Sequence, residues 1–364
     1  MANKAMIAMS GGVDSGVAAL ILKNNGFDCI GATMKLYAHP NGESGNGKTC
    51  CSLEDIEDAR SVAIKAGIPF YAFNYKEEFK REVIQRFVSS YENGETPNPC
   101  IDCNKYLKFD ALFRRAEELG CNFFVTGHYA RIERDEESGR YLLKKGLDGK
   151  KDQSYVLYSM TQHQLAHTLF PLGELRKERV REIAESYGLS NARKQESQDI
   201  CFVPDGDYAQ FIEDYTNRTS PPGFFRDTDG NVLGEHKGII RYTVGQRKGL
   251  GLSLTNPGYV CEKRISDNSI IVGDERQLLV KALVADNINL ISVEKLITPI
   301  RAKARTRYNQ QEQWATITPT QEDKLLIQFD SPQKAVAQGQ AVVLYDGDTV
   351  IGGGRITKDI WRAT

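Results

Sequence analysis

Short apolar runs alternate with amphipathic helical patterns over residues 1 to about 210, and this alternation limits the fold more than any other feature. Four runs have the length of buried strands: Lys4–Met9, Cys29–Leu36, Pro69–Asn74 and Phe123–Thr126. Four stretches have helical periodicity: Val17–Asn25, Leu53–Ala66, Glu77–Asn93 and Phe109–Leu119. Such alternation predicts an α/β fold with a Rossmann-like parallel sheet and helices on both of its faces.

The pattern changes to short β-rich runs beyond about Pro221. Three of them are Gly238–Val244, Gly258–Lys263 and Ser269–Val272. Four more have the spacing of a small barrel: Ile300–Tyr308, Trp314–Ile317, Lys324–Phe329 and Ala341–Tyr345. We therefore predict three domains: residues 1–212 with the parallel sheet, a small β-rich central domain at 213–281, and a C-terminal β-barrel at 282–364.

Composition excludes some classes of protein. The chain is 40% hydrophobic and 26% charged, which is typical of a folded globular protein. No run approaches the roughly 20 apolar residues of a membrane span, and the first apolar run fits a strand better than a signal peptide, so we expect a cytoplasmic protein. In that reducing compartment, the eight cysteines favour buried thiols, metal ligands or catalysts over a disulfide framework. The net charge of −1 means that any RNA surface must be a local patch.

A glycine-rich turn follows the first predicted strand directly. Its sequence is Ser10-Gly11-Gly12-Val13-Asp14-Ser15, and a helical pattern begins at once. Backbone N–H groups and the positive end of the helix would face an anion there, so the turn predicts a phosphate site. The lysine of a Walker loop is missing. Asp14 beside phosphate makes best sense with Mg²⁺ between them, and the alternative is a plain turn in which Asp14 stabilises the helix.

A second motif carries two cysteines. Residues 96–104 read Thr-Pro-Asn-Pro-Cys-Ile-Asp-Cys-Asn, and the two prolines predict a rigid, exposed loop that carries Cys100 and Cys103. Cys201 lies far along the chain between Ile200 and Phe202. The alternatives are half of a zinc site, a Cys201 that is only a buried small side chain, and a redox pair of Cys103 and Cys201.

The glycine-rich string resembles the signature of the PP-loop pyrophosphatase superfamily, whose members cleave ATP between the α- and β-phosphates. Further strings resemble the bacterial tRNA 2-thiouridylase (MnmA) family, and they run in order along essentially the whole chain. They are TPNPxxxCN, the segment at 199–202, the Cys-Cys-Ser-Leu-Glu-Asp run at 50–55, Thr126–Tyr129, Lys151–Ser154 and Tyr242–Leu250.

This resemblance implies a fold of the PP-loop ATPase type and roles for individual residues. ATP would adenylate the C2 oxygen of the wobble uridine, Cys201 would carry a persulfide, and Cys103 would be the second catalytic cysteine. The implied nucleotide contacts are Ala8, Met9, Ser10, Gly11, Gly12, Val13, Asp14, Ser15, Met34 and Gly127. The implied target-base contacts are Asn98, Pro99 and Cys100. The implied tRNA contacts are His128, Lys151, Asp152, Gln153, Arg307, Tyr308 and Gln340.

The same resemblance implies partners. They are the tRNAs that accept lysine, glutamate and glutamine, and a sulfur donor that is either a cysteine desulfurase or a sulfur-relay protein.

The chain departs from many family members in having Cys100 where they have aspartate. Cys100, Cys103 and Cys201 together would suit an iron–sulfur cluster with one open position. We favour the persulfide route, which needs only two cysteines; Asp102 beside Cys103 would disfavour a thiolate there.

Cations also recur at alternate positions late in the chain. Arg301, Lys303, Arg305 and Arg307 would share one face of a strand, with a spacing comparable to that of RNA phosphates. This predicts RNA contact, against the alternative of a solvated outer face.

Two other functions remain open: a PP-loop amide ligase, which leaves the cysteines unused, and an RNA-binding module with a structural metal, which leaves the phosphate loop unused.

Overall fold

The computed structural model describes residues 3–37, 53–189, 191–192, 200–203, 206–320 and 323–362. The predicted motif residues 50–52 and 199 lie outside this part of the chain. Seven strands come first: β1 (Lys4–Ala8), β2 (Asp28–Lys35), β3 (Phe70–Asn74), β4 (Phe123–Val125), β5 (Ala130–Arg134), β6 (Tyr141–Lys145) and β7 (Thr168–Leu169). The α-helices are α1 (Val13–Asn24), α2 (Leu53–Ala66), α3 (Lys76–Phe79), α4 (Gln85–Glu92), α5 (Pro99–Asp102), α6 (Phe113–Glu118), α7 (Gln162–Ala166), α8 (Lys177–Ser186) and α9 (Tyr208–Thr216).

Five of these strands form the predicted parallel sheet, in the order β3-β2-β1-β4-β7. Met6 of β1 packs into one hydrophobic core, while Ala5 and Ile7 pack into another on the opposite face. Both faces of β1 are therefore covered, which explains its uninterrupted apolar sequence. The Rossmann-like α/β fold is confirmed. No helix among the described residues has the length and apolar character needed to cross a membrane.

The CxxC segment is helical, so the predicted exposed loop is wrong. Pro99 is the first residue of α5, and the Asn98 side chain accepts a hydrogen bond from the N–H of Cys100 at 3.2 Å. Proline at the first helical position is pre-set for a helix, and asparagine is a favoured N-cap. A π-helical segment, Cys103–Leu112, then continues into α6. The two prolines therefore begin a helix of about five turns.

The middle region holds four strands: β8 (Gly223–Arg226), β9 (Val232–His236), β10 (Tyr259–Arg264) and β11 (Ser269–Gly273), in the order β10-β11-β8-β9. Two of the three predicted runs are strands. The prediction for Gly238–Val244 is wrong, because this segment contains a short 3₁₀ turn at Ile239–Arg241. Ile239 and Ile240 are buried because they anchor this turn, so their apolar character does not mark a strand.

The C-terminal barrel is confirmed. Its strands are β12 (Leu279–Leu290), β13 (Ile300–Arg305), β14 (Gln313–Pro319), β15 (Leu325–Lys334), β16 (Ala341–Asp346) and β17 (Thr349–Arg362). They follow the order β12-β15-β14-β13-β16-β17, and pairing of β12 with β17 closes the barrel. The hairpin β5–β6 extends this sheet through the pairing of Thr349 with Lys144, which the sequence did not indicate.

A buried ion pair links the barrel to the N-terminal region. Asp152 accepts hydrogen bonds from the N–H groups of Gly146 and Ser154 and from the Ser154 hydroxyl. Arg305 of β13 lies 3.4 Å from the same carboxylate, and the two side chains are 14% and 6% exposed. The Tyr308 hydroxyl donates to the Asp152 carbonyl at 3.1 Å. This cluster fixes the end of β13 against the chain that follows β6.

Replacing Arg305 with Met should destabilise the protein, because it leaves the buried Asp152 carboxylate without its cation. Breaking a buried pair from one side costs about 3 kcal/mol. Thermal unfolding followed by circular dichroism should show a lower Tm. Arg301→Met is the matched control, since Arg301 pairs with Asp330 at the surface and its loss should change Tm little. Equal Tm values for the two variants would contradict the linking role of Arg305.

Candidate functional site

A single cavity of about 340 Å³ opens at the carboxyl ends of β1, β2 and β4. It brings together most of the predicted nucleotide residues and all three predicted cysteines. The predicted site residues that line it are Ala8, Met9, Ser10, Asp14, Ser15, Met34, Pro99, Cys100, Cys103, Gly127, His128, Gln153 and Cys201. The phosphate loop and the cysteines are more than 80 residues apart in sequence. The sheet therefore brings two separate motifs into the lining of one cavity.

The phosphate loop has the geometry of an anion cradle. Gly11 has a φ of +77°, and a Cβ there would lie 2.3 Å from the carbonyl oxygen of Asp55, so only glycine fits. Gly12 is the N-cap of α1 and provides no side-chain cap for the first N–H groups of the helix. The Ser15 hydroxyl accepts from the N–H of Ser10 at 3.2 Å and donates to the Gly12 carbonyl at 3.1 Å. These contacts fix the loop while the positive end of the helix remains available to an anion.

Asp14 has protein partners in place of the predicted metal ion. The Lys177 ammonium lies 2.7 and 2.8 Å from its two carboxylate oxygens, and the Tyr129 hydroxyl donates to one of them at 2.7 Å. Lys177, the first residue of α8, is 4% exposed. A lysine that neutralises both oxygens occupies the position that a cation would take, so Asp14 does not fit a magnesium ligand here. Sequence reasoning missed Lys177, which has no motif around it.

The part of the lining that Cys100, Cys103 and Cys201 form is the cysteine wall. Cys100 is exposed, whereas Cys103 and Cys201 are half-buried. Among the described residues, no three His, Cys, Asp or Glu side chains are grouped closely enough to hold a metal ion. The three cysteines therefore line one cavity without forming a ready set of ligands for a zinc ion or a cluster.

Asp102 faces a different cavity from its neighbour Cys103. That second cavity, of about 770 Å³, lies between α4, α5 and the barrel, and it also receives Arg86, Lys105 and Arg355. Burial raises the pKa of Asp102 to about 6, while the three cations oppose this shift. Since the carboxylate lines the other side of the helix, it does not belong to the cysteine wall.

His128 lies inside the molecule, 7% exposed. Its Nδ1 is 2.7 Å from the Thr126 hydroxyl, and its ring packs against Phe109 and Phe170. Burial lowers the pKa of His128 well below its usual value, and the charge of Lys108 lowers it further. The imidazole is therefore neutral. Its position lets it meet a group that enters the cavity, and its predicted contact with tRNA remains a prediction.

The other residues predicted to contact tRNA lie at junctions between the regions. Gln153 accepts from the N–H of Tyr129 at 3.0 Å, and Gln340 donates to the Thr96 carbonyl at 2.8 Å. Arg307 donates to the carbonyls of Val244 and Ala335 at 3.0 and 2.6 Å. Lys151 is half-buried in the segment between β6 and α7. Their roles in RNA binding stay predictions.

The predicted stripe of four cations is confirmed as a shared strand face for three of them, although the Arg305 side chain is held in its buried pair with Asp152. Arg301, Lys303 and Arg305 alternate with buried alanines along β13 and share its outer face. For Arg307 the prediction is wrong, because β13 ends at Arg305 and the Arg307 guanidinium turns inward. Within the stripe, Arg301 and Lys303 flank the Trp314 ring, so the outward charge is concentrated near that tryptophan.

Comparison with known proteins identifies the family. Three family models match in series: a tRNA methyl transferase HUP domain at residues 3–205, a tRNA methyl transferase PRC-barrel domain at 209–274, and an aminomethyltransferase beta-barrel domain at 280–356. A solved 4-thiouridine synthetase–RNA complex with bound ATP has 17% identity and a TM-score of 0.35, and covers 58% of this chain and 50% of that chain. A TM-score this low supports no conclusion about this chain.

Full-length relatives are much closer. The tRNA-specific 2-thiouridylase MnmA of Clostridioides difficile is 50% identical over 360 residues, which cover 99% of each chain. A tRNA-specific 2-thiouridylase MnmA of Caldanaerobacter subterraneus is 50% identical, over 98% of this chain and 99% of its own. That of Acetivibrio thermocellus is 49% identical, over 97% and 99%. With the PP-loop sheet, the closed barrel and these relatives together, the chain belongs to the MnmA family of tRNA-specific 2-thiouridylases.

Proposed function

We propose that this protein is a tRNA-uridine 2-sulfurtransferase. It uses ATP to adenylate the C2 oxygen of the wobble uridine and then replaces that oxygen with sulfur from a cysteine persulfide. The observation that carries the proposal is the shared cavity, which the phosphate loop, Cys103 and Cys201 all line. A PP-loop amide ligase would leave the cysteine wall unused. An RNA-binding module would leave the anion cradle unused.

The first step makes the oxygen a good leaving group. The uridine C2 oxygen attacks the α-phosphorus of ATP, a C–O–P linkage forms, and the bond to the β-phosphate breaks to release pyrophosphate. The positive end of α1 and the N–H groups at Gly12 and Val13 are suited to the negative charge that develops on the departing pyrophosphate. Mg²⁺ is expected to arrive with ATP. Asp14 is not expected to hold it, because Lys177 already neutralises the Asp14 carboxylate.

The second step exchanges oxygen for sulfur. The terminal sulfur of a Cys201 persulfide attacks C2, and AMP leaves with the former uridine oxygen. The Cys103 thiolate then attacks Sγ of Cys201, which breaks the sulfur–sulfur bond and leaves a Cys103–Cys201 disulfide and 2-thiouridine. A thiol reductant must reduce that disulfide before the next turnover. The half-buried positions of both cysteines on one wall support this route over one that needs three ligating thiolates.

The partners follow from the family. We propose the tRNAs for lysine, glutamate and glutamine as substrates, and a cysteine desulfurase or a sulfur-relay protein as the donor that loads Cys201. The target uridine would enter beside Asn98, Pro99 and Cys100, which lie where the cysteine helix begins. Cys100 is the outermost of the three cysteines and has no step of its own in this scheme.

Cysteine variants separate the two sulfur routes. Cys201→Ser should form no 2-thiouridine yet still release pyrophosphate in a single turnover, because adenylation uses the phosphate loop and not this cysteine. Cys100→Ser should keep most of its thiolation activity. Nucleoside mass spectrometry and a pyrophosphate assay provide the measurements, on protein purified without oxygen. If Cys100→Ser instead lost bound iron and activity together, a cluster would replace the persulfide in this account.

Lys177→Met should weaken the use of ATP without weakening RNA binding. It would leave the Asp14 carboxylate uncompensated beside the site for pyrophosphate, and an apparent KM for ATP at least about tenfold higher corresponds to 1.4 kcal/mol. Steady-state pyrophosphate release and tRNA filter binding measure the two effects. Arg179→Met is the control, since Arg179 lies exposed on the same helix and pairs with Glu182. An unchanged KM for ATP in Lys177→Met would remove Asp14 from the ATP site.

A further inference from the structure

One lysine in the cavity has no role in the scheme above. Lys108 lies on the π-helical segment that follows Cys103, and its side chain lines the cavity. It is the one lysine or arginine in the described lining. Among the described residues, no hydrogen bond or ion pair engages its ammonium. A half-buried cation of this kind gains stability when an anion arrives, because desolvating an uncompensated charge is costly.

The surroundings of Lys108 place its charge near the phosphate loop. Its ammonium is close enough to His128 to lower the pKa of that imidazole. His128 follows Gly127, at which a Cβ would lie 2.8 Å from both the Asp14 carbonyl carbon and the Ser15 nitrogen. One side of the cavity is thus formed by a row of neighbours: Lys108, His128, Gly127 and the first turn of α1.

The other charged and titratable groups of the described lining do not compete for this role. Asp14 of α1 is neutralised by Lys177, and His128 is neutral. Cys100, Cys103 and Cys201 make up the remainder of the described titratable lining. A phosphate bound in this cavity would therefore meet Lys108 as the one cation of the described lining. The loop itself has no lysine, unlike a Walker loop.

We propose that the Lys108 ammonium contacts the α-phosphate of ATP and stays with it in the AMP that sulfur displaces. The loop at the start of α1 is suited to the pyrophosphate, and Lys108 lines the same cavity on the helix that carries Cys103, so its ammonium is suited to the next phosphate towards the cysteines. A cation there stabilises the phosphoryl group during adenylation and the negative charge of AMP as it leaves. This role rests on the proposed function and adds a catalytic residue to it.

Binding of AMP and adenosine tests the contact without RNA or turnover. Titration calorimetry would compare the wild-type chain with Lys108→Met, Lys108→Arg and Lys105→Met. Lys105 is the matched control, because it lies on the same helix but lines the other cavity. Lys108→Met should bind AMP at least about tenfold more weakly and adenosine equally well. Lys108→Arg should stay within a few-fold of wild type for both ligands, and Lys105→Met should match wild type.

Several results would overturn the assignment. Lys108→Met could bind AMP as tightly as wild type, or it could lose adenosine affinity together with AMP affinity. Lys105→Met could lose as much AMP affinity as Lys108→Met. The wild-type chain could prefer adenosine or bind both ligands equally. If AMP binding is unchanged while thiolation is lost, Lys108 serves the sulfur and not the phosphate. Failure of the proposed function would be seen separately, as a wild-type chain that forms no 2-thiouridine from ATP, tRNA and a sulfur donor.

Discussion

The position of β1 in the middle of the parallel sheet determines where chemistry can occur. Strand β1 pairs with β2 on one side and with β4 on the other. The loops that follow β1 and β4 therefore diverge at the carboxyl end of the sheet. Ligands of open α/β sheets bind in the crevice at such a point. Gly127 closes against the start of α1 at a distance that no side chain would permit. Sheet order and one glycine thus create the space that the phosphate loop and the cysteines both line.

The other two regions hold the cysteine helix in place across that space. The N–H of Thr96 donates to the Gln338 carbonyl at 2.9 Å, and Gln340 donates back to the Thr96 carbonyl at 2.8 Å. From the middle region, Lys263 donates to the Glu95 carbonyl at 3.2 Å, and Arg355 of the barrel pairs with the Glu95 side chain. The segment just before Asn98 is therefore fixed by both the middle region and the barrel. Loss of the barrel would disturb the cysteine wall as well as any RNA surface.

Sequence patterns predicted the features that depend on local periodicity and composition. The core strands, the turn at Gly11 and the barrel all follow from such patterns. The helix at Pro99 is not predicted, because the two prolines indicate a rigid, extended loop, although proline at the first helical position favours a helix. Lys177 and Lys108 were missed for a different reason. The fold brings Lys177 to Asp14 and Lys108 into the cavity lining from distant parts of the chain, and no spacing in the sequence indicates which lysines will be placed there.

The central claim is that the uridine oxygen itself receives the adenylyl group. A substrate tRNA with a heavy oxygen isotope at C2 of the wobble uridine tests this directly. After turnover with ATP and a sulfur donor, mass spectrometry should find the isotope in the phosphate of AMP, in proportion to the 2-thiouridine formed. Recovery of the isotope in water, with unlabelled AMP, would mean that ATP is cleaved without activating that oxygen and would contradict the account.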